Sequence, residues 1–160
     1  MYSNSAVLFS FGVGGHTSQA HRLAKILISD LNDIDIITIS DLKKQPEWSK
    51  RHYVTGEFRE KSSHLQILTN TGPFKIISTL LKIRRENQVK CVVSTGPGLS
   101  ILVSLFFKLQ GAKVIHIETW SRFKTQSLTG KFMYKIADRF YIQHRSLQSI
   151  YPKGIYSGVL

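Results

Sequence analysis

Short apolar runs, most of them rich in β-branched residues, occupy positions 6–9, 34–39, 89–94 and 113–117, and segments with a helical repeat separate most of them. This alternation constrains the fold more than any other feature of the chain. Strands parted by helices have no hairpins to join them, so they lie parallel and are linked by right-handed crossovers. The pattern therefore predicts an α/β fold: a Rossmann-like parallel sheet with helices on both faces, formed by residues 1–160 as one domain. Helices are expected at 18–28, 74–85, 99–109 and 129–139, a further strand at 140–142, and an extended segment at 155–160.

Ligands of such sheets bind beyond the carboxyl ends of the strands. That rule puts three loops on one rim: residues 12–17, 95–98 and 118–122. The first, Gly12-Val13-Gly14-Gly15-His16-Thr17, is a glycine hinge before a helix, with Thr17 or Ser18 as the expected N-cap. A helix N-terminus offers free N–H groups to an anion. The spacing departs from the dinucleotide fingerprint, because Thr17 stands where the third glycine should fall, and no Gly-Lys-Ser/Thr element exists. Two readings stay open on the residues alone, a generic first strand-to-helix turn and a ligand loop. His16 is the loop's one imidazole, the residue type best suited to pass a proton at physiological pH.

Composition narrows the partners. Twenty-two Lys and Arg against ten Asp and Glu leave a formal charge of +12 and a pI near 10.0. A negatively charged partner follows: nucleic acid, an anionic membrane surface or a phosphorylated substrate. Cys91 is the single cysteine, so no disulfide forms within the chain and a reducing cytoplasm is expected. Its apolar setting marks it as a small buried hydrophobe rather than a nucleophile. The first residues lack the pattern of a secretory leader, and the longest apolar stretch, 99–109, is shorter than the ~20 residues a membrane span needs. Asp41, just past the second strand, reads as a helix or loop cap.

Residues 42–64 form a basic excursion without a clear period, with Trp48, Tyr53 and Phe58 interleaved. It reads either as a solvated loop or as a surface for nucleic acid or lipid. The helix at 74–85 carries a broad apolar face, Phe74, Ile77, Leu81 with Ile76, Leu80, Ile83, against Lys75, Lys82 and Arg85. Such a helix covers a sheet, or lies on an anionic bilayer through Phe74, Lys75, Ile77, Leu81, Lys82, Arg84 and Arg85.

Taken together, Gly14-Gly15-His16-Thr17, Ser94-Thr95-Gly96-Pro97-Gly98, Glu118-Thr119-Trp120-Ser121-Arg122, Leu128-Thr129-Gly130-Lys131 and Ala137-Asp138-Arg139-Phe140-Tyr141-Ile142-Gln143 occur in a telling order. The set resembles the membrane-recruiting subunit of the two-subunit UDP-GlcNAc transferase of lipid-linked oligosaccharide synthesis. It is similar also to the bacterial PssD/CpsF-like proteins of capsule and exopolysaccharide synthesis and, more distantly, to the N-terminal half of MurG-like transferases. The resemblance runs from Val7 to Leu160.

The resemblance implies the N-terminal, acceptor-side half of a GT-B glycosyltransferase. Its partners would be a separate catalytic subunit that binds the UDP-sugar, a sugar acceptor on polyprenyl diphosphate, and an anionic membrane surface; no nucleic acid is expected. The chain lacks the N-terminal transmembrane helix of the eukaryotic members, so peripheral association with the inner face of the cell membrane is expected. The implied site has His16 and Glu118 as catalytic candidates. Gly14, Gly15, Thr17, Thr95, Gly96, Gly98, Trp120 and Arg122 are the acceptor-binding or interface residues. No metal and no cofactor are expected. On the residues themselves His16 is an acceptor contact or a structural link to a neighbouring loop, and Glu118 a base, an orienting carboxylate or a brace. Two rival functions remain, a non-catalytic recruiting scaffold and a free-standing nucleotide-binding protein.

Overall fold

A computed structural model describes residues 5–31, 34–55 and 72–160. It contains strands β1 (Ser5–Ser10), β2 (Asp35–Ser40), β3 (Arg51–Val54), β4 (Gln88–Ser94), β5 (Lys113–Ile117), β6 (Arg139–Ile142) and β7 (Ile155–Tyr156). Four helices accompany them: α1 (Gly15–Leu27), α2 (Gly72–Glu86), α3 (Leu99–Lys108) and α4 (Leu128–Ile136). All seven strands belong to one sheet in the order β3-β2-β1-β4-β5-β6-β7, and every pairing is parallel.

The order reverses direction at β1. The chain moves outward through β2 and β3, then returns past β1 to β4 and continues the other way. With right-handed crossovers, that reversal sends the helices to opposite faces. Strand residues sort accordingly by their period of two. Ala6, Leu8, Ile37, Ile39, Val92 and Val114 join the core under α2, α3 and α4, while Val7, Phe9, Ile36, Val93 and Ile117 pack with Ala20 and Ala24 of α1. Near-continuous apolar strands are what burial on both faces requires.

Several expectations are corrected. Helix α1 begins earlier than residue 18: Gly14, at φ +77°, is its N-cap, with no side-chain cap, and the Thr17 hydroxyl instead donates to the Gly12 carbonyl at 2.7 Å. His16 therefore lies in the first helical turn. Helix α4 stops at Ile136 and Arg139 opens β6, because Asp138 leaves the helix to accept the Val114 N–H at 2.8 Å. Asp41 is no cap; Ser40 Oγ accepts the Leu42 N–H there, and Asp41 Oδ1 is buried without a partner among the described residues.

The basic excursion contains an edge strand, β3, and its aromatics turn inward. Trp48 packs edge-on against Phe9, with ring centroids 5.1 Å apart, and its Nε1–H donates to His21 Nδ1 at 2.8 Å. Tyr53 is buried too. Neither forms a stacking surface; Phe58 lies outside the described residues.

Helix α2 carries two apolar stripes instead of one wide face. Ile76, Leu80 and Ile83 sit on the sheet at 0–2% exposure, whereas Phe74 (77%), Ile77 (51%) and Leu81 point outward. Truncating Leu80 to Ala removes buried methyl groups and leaves a cavity, at a cost of about 2–5 kcal/mol. Leu81→Ala, one residue along, changes stability by less than about 0.5 kcal/mol. Chemical denaturation of the two variants measures the difference; equal losses would contradict the orientation of the helix.

Candidate functional site

The carboxyl ends of β1, β4 and β5 lie side by side, so the loops that follow them meet. His16 Nδ1 donates to the Thr95 carbonyl at 2.5 Å, and the Thr95 hydroxyl donates back to the His16 carbonyl at 3.0 Å. A carbonyl oxygen only accepts, so the proton of the neutral ring sits on Nδ1 and Nε2 keeps its lone pair. Nε2 has no hydrogen-bond partner among the described residues. Gly96 makes room for this ring: at φ +96°, a Cβ there would stand 2.7 Å from His16 Cε1. Any larger residue would be strained in backbone and displace the imidazole.

These loops enclose a cavity of about 210 Å³ lined by His16, Thr95, Gly96, Pro97, His116, Glu118, Thr119, Ser121, Arg122, Ser127 and Thr129. Of the expected residues, His16, Thr95, Gly96, Glu118 and Arg122 are brought together there. Gly14, Gly15, Thr17, Gly98 and Trp120 are not among the lining residues. Gly14 and Gly98 cap α1 and α3, and Trp120 lies under Arg22, whose guanidinium carbon is 5.1 Å from the ring centroid.

Glu118 is 1% exposed, and three groups donate to its carboxylate. The Tyr151 hydroxyl reaches Oε2 at 2.6 Å, the Ser127 hydroxyl spans both oxygens at 3.0 and 3.2 Å, and the Thr119 N–H reaches Oε1 at 2.9 Å. Ser127 is also the N-cap of α4, accepting the Gly130 N–H at 2.7 Å. A Cβ on Gly130 would fall 1.8 Å from Glu118 Oε2, so this glycine is what lets helix and carboxylate approach. Burial first, and then the Glu118 hydrogen bond, raise the Tyr151 phenol far above its usual range. It stays protonated as a donor. The Glu118 carbonyl is held as well, by the Gln143 amide at 2.8 Å.

His116, also 1% exposed, was not singled out in the sequence, nor were Ser127 and Tyr151. A lone histidine in a strand gives no periodic signal, and the partners of Glu118 come from 9 and 33 residues away. Burial pushes the His116 imidazole down to about 3, with the nearby His16 as a smaller cause. Among the described residues, no cluster of His, Cys, Asp and Glu could hold a metal ion. Cys91 is half-buried and its thiol is pushed up to about 11, chiefly by burial, which fits its expected inert role.

The architecture places the chain in a definite class. Its fold matches MurG of Acinetobacter baumannii with a TM-score of 0.62 at 16% identity, over 89% of this chain and 41% of that one. It also matches UDP-GlcNAc 2-epimerase of Neisseria meningitidis, solved bound to UDP-GlcNAc, with a TM-score of 0.57 at 18% identity, over 96% and 46%. This is the fold of the N-terminal half of a GT-B protein. The sequence is more specific: residues 7–160 match the family described as "Oligosaccharide biosynthesis protein Alg14 like", and the chain belongs to that family.

Among its relatives are proteins named UDP-N-acetylglucosamine transferase subunit ALG14. That of Kluyveromyces lactis is 31% identical over 91 residues, 53% of this chain and 39% of that protein. Those of Schizosaccharomyces pombe and Homo sapiens are 24% identical over 190 residues and 23% over 176, each covering 96% of this chain and 82% of the relative.

The His116 shift has a consequence for stability. The unfolded chain takes up a proton near the ordinary histidine value of about 6.5, while the folded chain does so only near 3. Between those values the unfolded state binds more protons, so stability is fully present above about pH 6.5 and declines as pH falls, by up to about 1.4 kcal/mol per pH unit. Urea midpoints at pH 7.0, 6.0 and 5.0 should fall accordingly, and His116→Gln should flatten the profile by one proton. An unchanged slope in that variant would overturn the assignment.

Proposed function

We propose that this chain is the acceptor-side subunit of a two-component glycosyltransferase that moves a sugar from a UDP-sugar to a lipid-linked acceptor. Membership of the Alg14-like family and a fold equivalent to half of a GT-B protein support it. The observation that carries the site is His16: its ring is oriented by Thr95 and its Nε2 lone pair is offered to a cavity built from three strand-end loops. The UDP-sugar belongs to a separate catalytic subunit.

In the transfer, an acceptor hydroxyl attacks the anomeric carbon, the new C–O bond forms and the bond from that carbon to the UDP oxygen breaks. His16 Nε2 takes the hydroxyl proton as the attack proceeds. Glu118 acts as a brace, since its carboxylate already receives three donors and fixes the loop to the start of α4. Arg122, exposed at the cavity rim, presents positive charge to the diphosphate of the acceptor.

The acceptor lies at a bilayer, and α2 supplies the contact with it. No helix among the described residues is long and apolar enough to cross a membrane. Phe74, Ile77 and Leu81 form an outward apolar stripe, flanked by the exposed Lys75, Lys82, Arg84 and Arg85. Such a helix rests its apolar stripe in the headgroup region while its bases meet anionic lipid at the cytoplasmic face.

Two measurements test this reading. In the complex reconstituted with its catalytic subunit, His16→Gln should lower kcat by about 10²- to 10⁴-fold while copurification is unchanged. Full activity in that variant would leave this chain a recruiting scaffold. Each basic residue at an anionic surface contributes about 1 kcal/mol, so K82E/R85E should weaken binding to phosphatidylserine-containing vesicles at least roughly thirtyfold. Unchanged vesicle binding would remove α2 from the membrane contact.

A further inference from the structure

Two imidazoles line the cavity, and the transfer as described uses one. His116 sits on β5 with its ring tilted against Phe140, centroids 5.2 Å apart, and its Nδ1 is 2.9 Å from Ser94 Oγ. Ser94 is fully buried, and its oxygen already takes the Gly96 N–H at 3.3 Å. A buried hydroxyl has one proton to give, and His116 Nδ1 is the acceptor in reach among the described residues. Ser94 therefore donates, Nδ1 accepts, and the ring proton of neutral His116 sits on Nε2. His16 is the reverse, with Nδ1 protonated toward Thr95 and the lone pair on Nε2. The consecutive residues Ser94 and Thr95 thus fix two imidazoles in opposite tautomers.

We propose that His16 and His116 together form a hydroxyl-recognition site, in which one alcohol group donates to His16 Nε2 and accepts from His116 Nε2–H. This rests on the reading of the chain as an acceptor-side subunit, and it names the part of the acceptor that the cavity takes. An alcohol is both donor and acceptor, so it satisfies both rings; a phosphate oxygen satisfies His116 and meets a lone pair at His16. His116 stays neutral because it is buried, so it adds no charge that would draw an anion in. The alcohol oxygen has two lone pairs. His116 holds one, which leaves the other directed at the anomeric carbon while the proton passes to His16.

Two readouts test the pair. Nitrogen-15 NMR of the imidazoles in the full chain at pH 7 should show Nδ1–H for His16 and Nε2–H for His116. Matching tautomers, or a protonated His116, would overturn the proposal whether or not the complex is an active enzyme. In the reconstituted complex, Ser94→Ala and His116→Phe should raise KM for the lipid-linked acceptor about tenfold, the worth of one buried hydrogen bond, and leave KM for the UDP-sugar within about twofold. His116→Gln, whose amide N–H stands in for Nε2–H, should recover to within about threefold of the parent. Equal losses on both substrates, or no recovery in His116→Gln, would mark His116 as structural and overturn the proposal. If His116→Phe does not fold, Ser94→Ala carries the kinetic test. A complex that transfers no sugar while the opposite tautomers stand would sink the glycosyltransferase reading, and the hydroxyl-recognition role with it.

Discussion

The parallel pairing of β1 with β4 is the contact on which the site depends. It runs from Ser5 opposite Gln88 to Ser10 opposite Ser94, joining segments more than 80 residues apart. Two strands that run side by side and end together deliver their following loops to one place. His16 and Thr95 then exchange two hydrogen bonds, and Ser10 Oγ lies 2.9 Å from Ser100 Oγ beneath them. The crossover through β2, β3 and α2 makes this possible, because the chain must leave β1 on one side and come back on the other. The reversal of strand order and the cavity are one geometric fact, as expected of open parallel sheets.

The third wall of the cavity is held differently. The loop after β5 is irregular and has no ladder to fix it, so its position rests on polar contacts. Glu118 receives Tyr151, Ser127 and its neighbour's N–H; the Trp120 carbonyl accepts from His144 Nε2 at 2.6 Å, and the Phe123 carbonyl from the Ser146 hydroxyl. A carboxylate removed from water costs several kcal/mol unless its oxygens are satisfied. Three donors meet that cost and tie β5, α4 and the segment before β7 together. Such a residue gives precision to a loop that no ladder holds.

Charge distribution adds a further layer. The chain is strongly basic, yet the cavity is lined mainly by neutral donors and acceptors, with Arg122 at the rim. Much of the remaining charge is spread over outer helix faces, as on α2. Exposed charges on the helix faces act over a range limited by solvent screening, whereas the groups lining the cavity act only at contact.

The sequence by itself determined the fold class and the three rim loops. Alternating apolar runs and helical segments admit few arrangements, and β-branched runs such as 34–39 and 89–94 carry their own period and boundaries. It also determined that His16 follows the glycines after the first strand and that Glu118 directly follows the strand at 113–117. Tertiary structure decided which groups these residues meet. Whether the stripe Phe74, Ile77, Leu81 or the stripe Ile76, Leu80, Ile83 covers the sheet depends on how α2 is rotated, which apolar spacing alone leaves open. Trp48 and Tyr53 turned inward because β3 added an edge to the sheet, a strand too short and too charged to announce itself. The tautomers of His16 and His116, and the two side-chain donors on Glu118, come from partners 9 to 79 residues distant. Hydrogen bonds over such separations leave no local pattern in a chain; they exist only once the strands have been placed side by side.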